Sequence, residues 1–255
     1  MRFIDLSAPI CNTPPETPEP FQVQIQYHDH QAGAAQIEHF FKVPRTLLKD
    51  GEGWATETIT RLGTHDTTHV DAPYHYNSRI QGKPAATIDQ LPLEWFFSDG
   101  VVLDMTGRER GQVVTVEDIQ KELDRIGYTL KPLDIVLVRT GMDKFYDHPN
   151  YFLMGPGVSP EATRWLYEQG IRVMGIDAWS WDAPLDLQAQ AVLKARKPGI
   201  FWAAHQLDLP YAQIERLVNL DRLPPYGFKV AAFPLKIEGA SAGPARVVAL
   251  LEEGA

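Results

Sequence analysis

The chain has 255 residues, 44% hydrophobic and 22% charged, with a formal net charge of −9. This is an ordinary globular composition, long enough to bury a substantial core. The acidic balance and the lack of any basic run argue against nucleic acid or an anionic membrane as partner. They do not argue against a small anion, because a bound cation can invert the local field.

Met1-Arg2-Phe3-Ile4-Asp5-Leu6 lacks the apolar run of a signal peptide, and no segment has the length of a membrane span; a soluble, cytoplasmic protein is expected. Cys11 is the one cysteine, so no internal disulfide or thiolate metal cage can form, and it reads as a packing residue. Pro14, Pro15, Pro18 and Pro20 exclude regular structure early in the 12–55 stretch. Tyr27-His28-Asp29-His30 reads as a solvated loop or strand edge. Residues 57–62 alternate and are rich in β-branched side chains, which predicts a strand.

Beyond residue 100 the pattern alternates between strand and helix. Residues 100–104 form a short apolar strand; Thr115 caps a helix, Asp118 completes a capping box and Gly127 stops it. Residues 134–139 read as a buried strand. Ser159-Pro160-Glu161 opens a second helix that Gly170 ends, and 171–177 form the next strand. This succession implies parallel strands with right-handed crossovers. Two long strands, 228–237 and 246–251, are expected to close the chain. Their small-residue linker, 238–244, would be a hairpin turn or a tight loop near a ligand. With no repeat or linker, residues 1–255 read as one α/β domain.

The chemistry concentrates in residues 63–75. Three of the eight histidines lie there, and His65, His69, Asp71 and His75 are all odd-numbered. A histidine pair four apart often marks only a solvated helix face. Here Gly63, the β-branched Thr64, Thr67, Thr68 and Val70, and Pro73 make a poor helix. In an extended segment all four polar groups would share one face. Imidazole and carboxylate together hold a divalent ion, zinc or manganese, and leave coordination positions open. Such an ion activates water and polarises a carbonyl, which suits hydrolysis of an amide, lactam or ester, with His75 as the free imidazole that moves a proton. From position alone His205 reads as a satisfied core or helix-end histidine, and Glu215 as an exposed helical carboxylate.

The run from His65 to His75 resembles the HxGTHxDxPxH signature of the cyclase-like metal-dependent hydrolases, which include bacterial kynurenine formamidase and isatin hydrolase. The resemblance continues in Asp5-Leu6-Ser7-Ala8-Pro9-Ile10, in Gly157-Val158-Ser159-Pro160-Glu161-Ala162 with Gly175-Ile176-Asp177, and in Phe233-Pro234-Leu235-Lys236-Ile237-Glu238-Gly239 with Gly243-Pro244-Ala245-Arg246. It departs at Thr67, where the family usually has glycine, and in a longer N-terminal stretch, about 12–55, that could cover the pocket. The resemblance implies a swivelling β/β/α fold around a small mixed β-barrel with flanking helices. It implies His65, His69 and Asp71 as metal ligands, His75 as the acid/base, and His205 and Glu215 as later members of the site. It further implies a homo-oligomer, dimer or tetramer, acting on a small-molecule substrate. Trp179, Trp181, Phe201 and Trp202 could line an aromatic pocket or equally be core or interface. The expected reaction is hydrolysis of a C–N bond in a formamide, lactam or other amide. The alternatives are a lyase or cyclase that stabilises an enolate at the metal, and a metal-binding protein without turnover.

Overall fold

The computed structural model describes residues 1–252. Two compact units are present: Pro9–Asp66, and Met1–Ala8 together with the chain from Thr67 onward. Among the described residues no helix is long and apolar enough to cross a membrane.

In the smaller unit the strands Gln24–His28 and Thr56–Arg61 pair antiparallel. Between them in sequence lies the helix His30–Phe41, in the part of the 12–55 stretch for which the sequence predicted no element. Asp29 is its N-cap, its carboxylate accepting from the Ala32 N–H at 2.9 Å. Of the two expectations for Tyr27-His28-Asp29-His30, loop or strand edge, Tyr27 and His28 meet the second, and Asp29 and His30 then open the helix. Gly33 permits the packing of this helix, since a Cβ there would meet the Trp54 carbonyl oxygen at 1.7 Å. Cys11 is exposed, not packed. His65 sits in the turn that precedes the end of this unit.

The larger unit carries a nine-stranded mixed sheet, curled as a half-barrel. Its order is Arg2–Asp5, Val248–Leu251, Phe228–Ala231, Phe97–Asp104, Ile135–Arg139, Val173–Ile176, Ala212–Glu215, His69–Asp71 and Ala242–Pro244. The four strands from Phe97–Asp104 to Ala212–Glu215 run parallel and the remaining pairs antiparallel. This is the α/β fold with a mixed, barrel-like sheet that the sequence implied. The chain end differs: three short strands replace the two long ones, and Ala242–Pro244, placed in the linker from sequence, joins the sheet beside the metal motif.

Central parallel strands are covered on both faces, as their unbroken burial shows. Val101, Leu103, Val136, Val138, Met174 and Ile176 point into one core. There they meet Ile119 and Leu123 of the helix Val116–Ile126, and Ala162 and Leu166 of the helix Pro160–Glu168. Val70, Val102, Ile135, Leu137, Val173 and Ile214 fill the other. Both helices begin as expected: Thr115 and Asp118 form a capping box, and the Ser159 hydroxyl accepts from the Ala162 N–H. Gly127 takes the left-handed conformation, φ 67°, that ends the first of them.

Candidate metal centre and active site

The strand His69–Asp71 lies between Ala212–Glu215 and Ala242–Pro244. On one side His69 faces Glu215 and Asp71 faces Gln213; on the other, Val70 faces Gly243. Because side chains alternate, Val70 and Ile214 enter the core while His69, Asp71, Gln213 and Glu215 gather on the opposite face. Gly243 is obligatory here, since a Cβ would meet the Leu235 carbonyl oxygen at 2.6 Å. Glu215 is thus a buried strand residue, 6% exposed, and not the exposed helical carboxylate that its local sequence suggested. Extended backbone covers only 69–71: His75 sits in the one-turn helix Pro73–Tyr76, which Pro73 opens rather than interrupts.

The ligand atoms of His69, Asp71 and Glu215 all lie within 4.8 Å of one another, and all three residues are buried. His69 Nε2 is 3.2 Å from Asp71 Oδ1 and 3.8 Å from Glu215 Oε2. His205, 1% exposed, joins them: its Nε2 is 3.3 Å from Glu215 Oε1 and 4.0 Å from Asp71 Oδ2. The outer nitrogens fix both tautomers. His69 Nδ1 contacts the Thr67 carbonyl at 2.6 Å, and a carbonyl can only accept, so Nδ1 carries the proton. His205 Nδ1 likewise donates to Asp182 Oδ2 at 2.6 Å. Each Nε2 then turns a lone pair toward carboxylate oxygens.

Two carboxylates and two imidazole lone pairs in a desolvated cluster require positive charge. In the protein alone, protons supply it. Burial pulls the His205 pKa down, but hydrogen bonds and charge from Asp182 and Glu215 outweigh it and carry it up to about 10. His69 is also raised, because Asp71 and Glu215 overcome burial. Burial pushes Glu215 up, yet its bond to His205 leaves it lowered on balance. A divalent cation fits the same donors, and imidazole backed by carboxylate or carbonyl is the usual support of a metal-binding histidine.

Asp182 was not found from sequence, although a lone acid between Trp181 and Ala183-Pro184 is a fair signal of a buried partner. Its carboxylate accepts from the N–H groups of Ala204 and His205 as well as from the imidazole. Asp182→Asn can still accept at one oxygen but lacks the anion that orients His205. Metal affinity should fall by about 10- to 100-fold, as for other groups behind a ligand, by competition with a chelator. Unchanged affinity would show that Asp182 serves only the loop.

Glu215 Oε1 accepts from the Trp181 N–H at 2.8 Å and from the Ser180 hydroxyl at 3.2 Å. Trp181 thereby supports the site through its backbone. Its side chain is fully buried in the core, the indole donating to Thr163, and so does not line a pocket. Trp202 stands beside the centre instead: it stacks on His205 at 4.4 Å and meets His75 edge-on at 4.8 Å. The His75 and His205 ring centres are 6.0 Å apart. Behind them Tyr76 stacks on Tyr211, whose hydroxyl donates to the Ala204 carbonyl and accepts from Gln213 Nε2. Trp179 is half-buried with its ring edge on Phe152, and Phe201 is 39% exposed. Thr67 is buried with an ordinary negative φ, so its backbone has no need of glycine; its hydroxyl lies 3.4 Å from the Ala8 carbonyl.

Residues 4–183 match the protein-family model described as "Putative cyclase". The chain belongs to that family. Across the family, kynurenine formamidase from Bacillus thuringiensis (strain Al Hakam) is 25% identical over 250 residues, 96% of each chain. Kynurenine formamidase from Salinibacter ruber is 32% identical over 191 residues, 74% of this cyclase-family chain and 76% of that one. Among solved structures, isatin hydrolase A from Labrenzia aggregata, bound to benzyl benzoate, superposes with a TM-score of 0.73 at 26% identity, covering 99% of this chain and 94% of that one.

Proposed function

We propose that this cyclase-family enzyme hydrolyses a small formamide, lactam or related amide at a divalent-cation site, with His75 moving the proton. The chain is a hydrolase acting on carbon–nitrogen bonds other than peptide bonds. The observation that carries the site is the buried cluster of His69, Asp71, His205 and Glu215, with both Nε2 atoms presented to it. His65 enters as the first histidine of the sequence motif. Mixed imidazole and carboxylate donors suit zinc and manganese alike.

When bound, a divalent cation acidifies water toward a pKa of about 7 and polarises a carbonyl. The protein's own groups do the rest. Asp182 and the Thr67 carbonyl hold the imidazoles in the tautomer that presents Nε2. Trp202 excludes water from one side of His205 and steadies the His75 ring. His75 is part-exposed and beside the cluster, so it can pass a proton to the departing nitrogen, which must leave as an amine.

The test is elemental analysis of the purified protein together with a panel of N-formyl anilines, isatin-type lactams and simple amides. At least one divalent metal per chain and turnover within the panel are expected. Stoichiometric metal with no amide hydrolysis would overturn the reading.

A further inference from the structure

Arg216 follows Glu215 directly and is 7% exposed. Its backbone is left-handed, φ 59°, a conformation that a long side chain adopts only at a cost. That turn breaks strand alternation at the end of Ala212–Glu215. It is held on both sides: the Arg216 N–H donates to the Ala178 carbonyl, and its own carbonyl accepts from the Thr68 hydroxyl at 2.6 Å. The guanidinium lies over the Trp179 ring, 4.7 Å from its centre, and Nε reaches the Trp179 carbonyl at a long 3.4 Å.

A guanidinium has five N–H donors in a planar fork, and buried guanidinium groups are normally paired with carboxylates. This one is not. Among the described residues no carboxylate lies within ion-pair distance of Arg216, and neither terminal nitrogen has a hydrogen-bond acceptor. The charge nevertheless bears on the site, since it opposes protonation of His69. The surroundings are aromatic: Trp179 under the cation, and the 41%-exposed Phe152 against the Trp179 edge. A largely buried cation beside a hydrolytic centre, with no protein carboxylate against it and the terminal nitrogens of its fork not sealed from the surface, is placed to meet an anion that arrives with a ligand.

We infer that Arg216 is a specificity-determining residue that receives a carboxylate of the substrate, one separate from the C–N bond being broken. The structure thus assigns a substrate class, amides that carry a carboxylate. The inference rests on the hydrolase reading above for its reaction but not for its binding.

The experiment compares 2-formamidobenzoate with formanilide, which share the scissile bond and differ in the carboxylate. Arg216→Gln should raise KM for 2-formamidobenzoate by about tenfold or more, the worth of one charge-assisted pair, with kcat nearly unchanged. KM for formanilide should stay within about twofold. Arg216→Lys keeps the charge without the fork and should fall between. Thermal melting of both variants checks that each folds. Equal losses on the two substrates, or no change on either, would overturn the inference in favour of a purely structural cation. Calorimetric binding of benzoate against benzamide to the protein as purified gives an arm independent of turnover. Benzoate should bind more tightly than benzamide in the wild type, and Arg216→Gln should remove the difference. If neither amide is hydrolysed but this binding pattern holds, the hydrolase reading fails and the carboxylate site stands. If Arg216→Gln binds benzoate like wild type, the carboxylate site fails whatever the turnover.

Discussion

His69→Ala yields a folded protein that no longer retains divalent metal and has lost its hydrolytic activity. Nε2 of this residue stands 3.2 Å from Asp71 and 3.8 Å from Glu215, at the middle of a cluster with almost no access to water. Replacing a group behind a ligand weakens metal binding by about 10- to 100-fold, and removing a ligand outright should exceed that. The change also leaves two buried carboxylates with one imidazole fewer to share their charge. Metal content by elemental analysis is the deciding measurement: a His69→Ala protein with its full complement of metal would remove the assignment.

His75→Ala has a different expected signature. Turnover should fall by about 10² to 10⁴, the usual worth of a positioned acid/base, while metal content stays at the wild-type level. Metal content is the readout that separates a proton carrier from a ligand, since a ring nitrogen of His75 lies within 4.8 Å of a carboxylate oxygen of Asp71. His75 lies on the helix Pro73–Tyr76, its ring 6.0 Å from that of His205 with Trp202 against both, and it is only part-buried. Because the proton goes to the leaving nitrogen, the loss should shrink for substrates whose amine departs easily, such as anilines bearing electron-withdrawing groups. A variant with wild-type kcat on every substrate would take the proton-transfer role away from His75.

Much of this architecture could be read along the chain because local chemistry decided it. Thr115, Asp118 and Gly127 bound one helix, and Ser159-Pro160 opens another, as each does in the fold. The strands through Val101–Leu103 and Ile135–Val138 announce themselves as unbroken apolar runs. Glu215 misled for the opposite reason. Gln213-Ile214-Glu215-Arg216-Leu217 has the spacing of an amphipathic helix, and it becomes a strand only because two distant segments, Val173–Ile176 and His69–Asp71, capture its edges. The same is true of Ala242–Pro244, whose small residues look like a turn until the metal strand pairs with them. His75 and Pro73 were placed in extended chain because proline was read as an interruption; at the first position of a helix it is an initiator. Asp182 had no fixed spacing from the histidine it supports, 23 residues away.

The strand that carries His69 and Asp71 obtains both of its sheet neighbours from residues beyond 211. During synthesis the motif therefore emerges long before anything exists to hold it. The donors come together only through contacts spanning some of the largest sequence separations in the chain, which are slow to form and late to be rewarded. Selectivity for a metal is thus exercised by an almost finished molecule rather than by a nascent peptide, and a chain halted before residue 212 would carry the motif's histidines, and His205, without Glu215 or either strand that holds His69 and Asp71 in place.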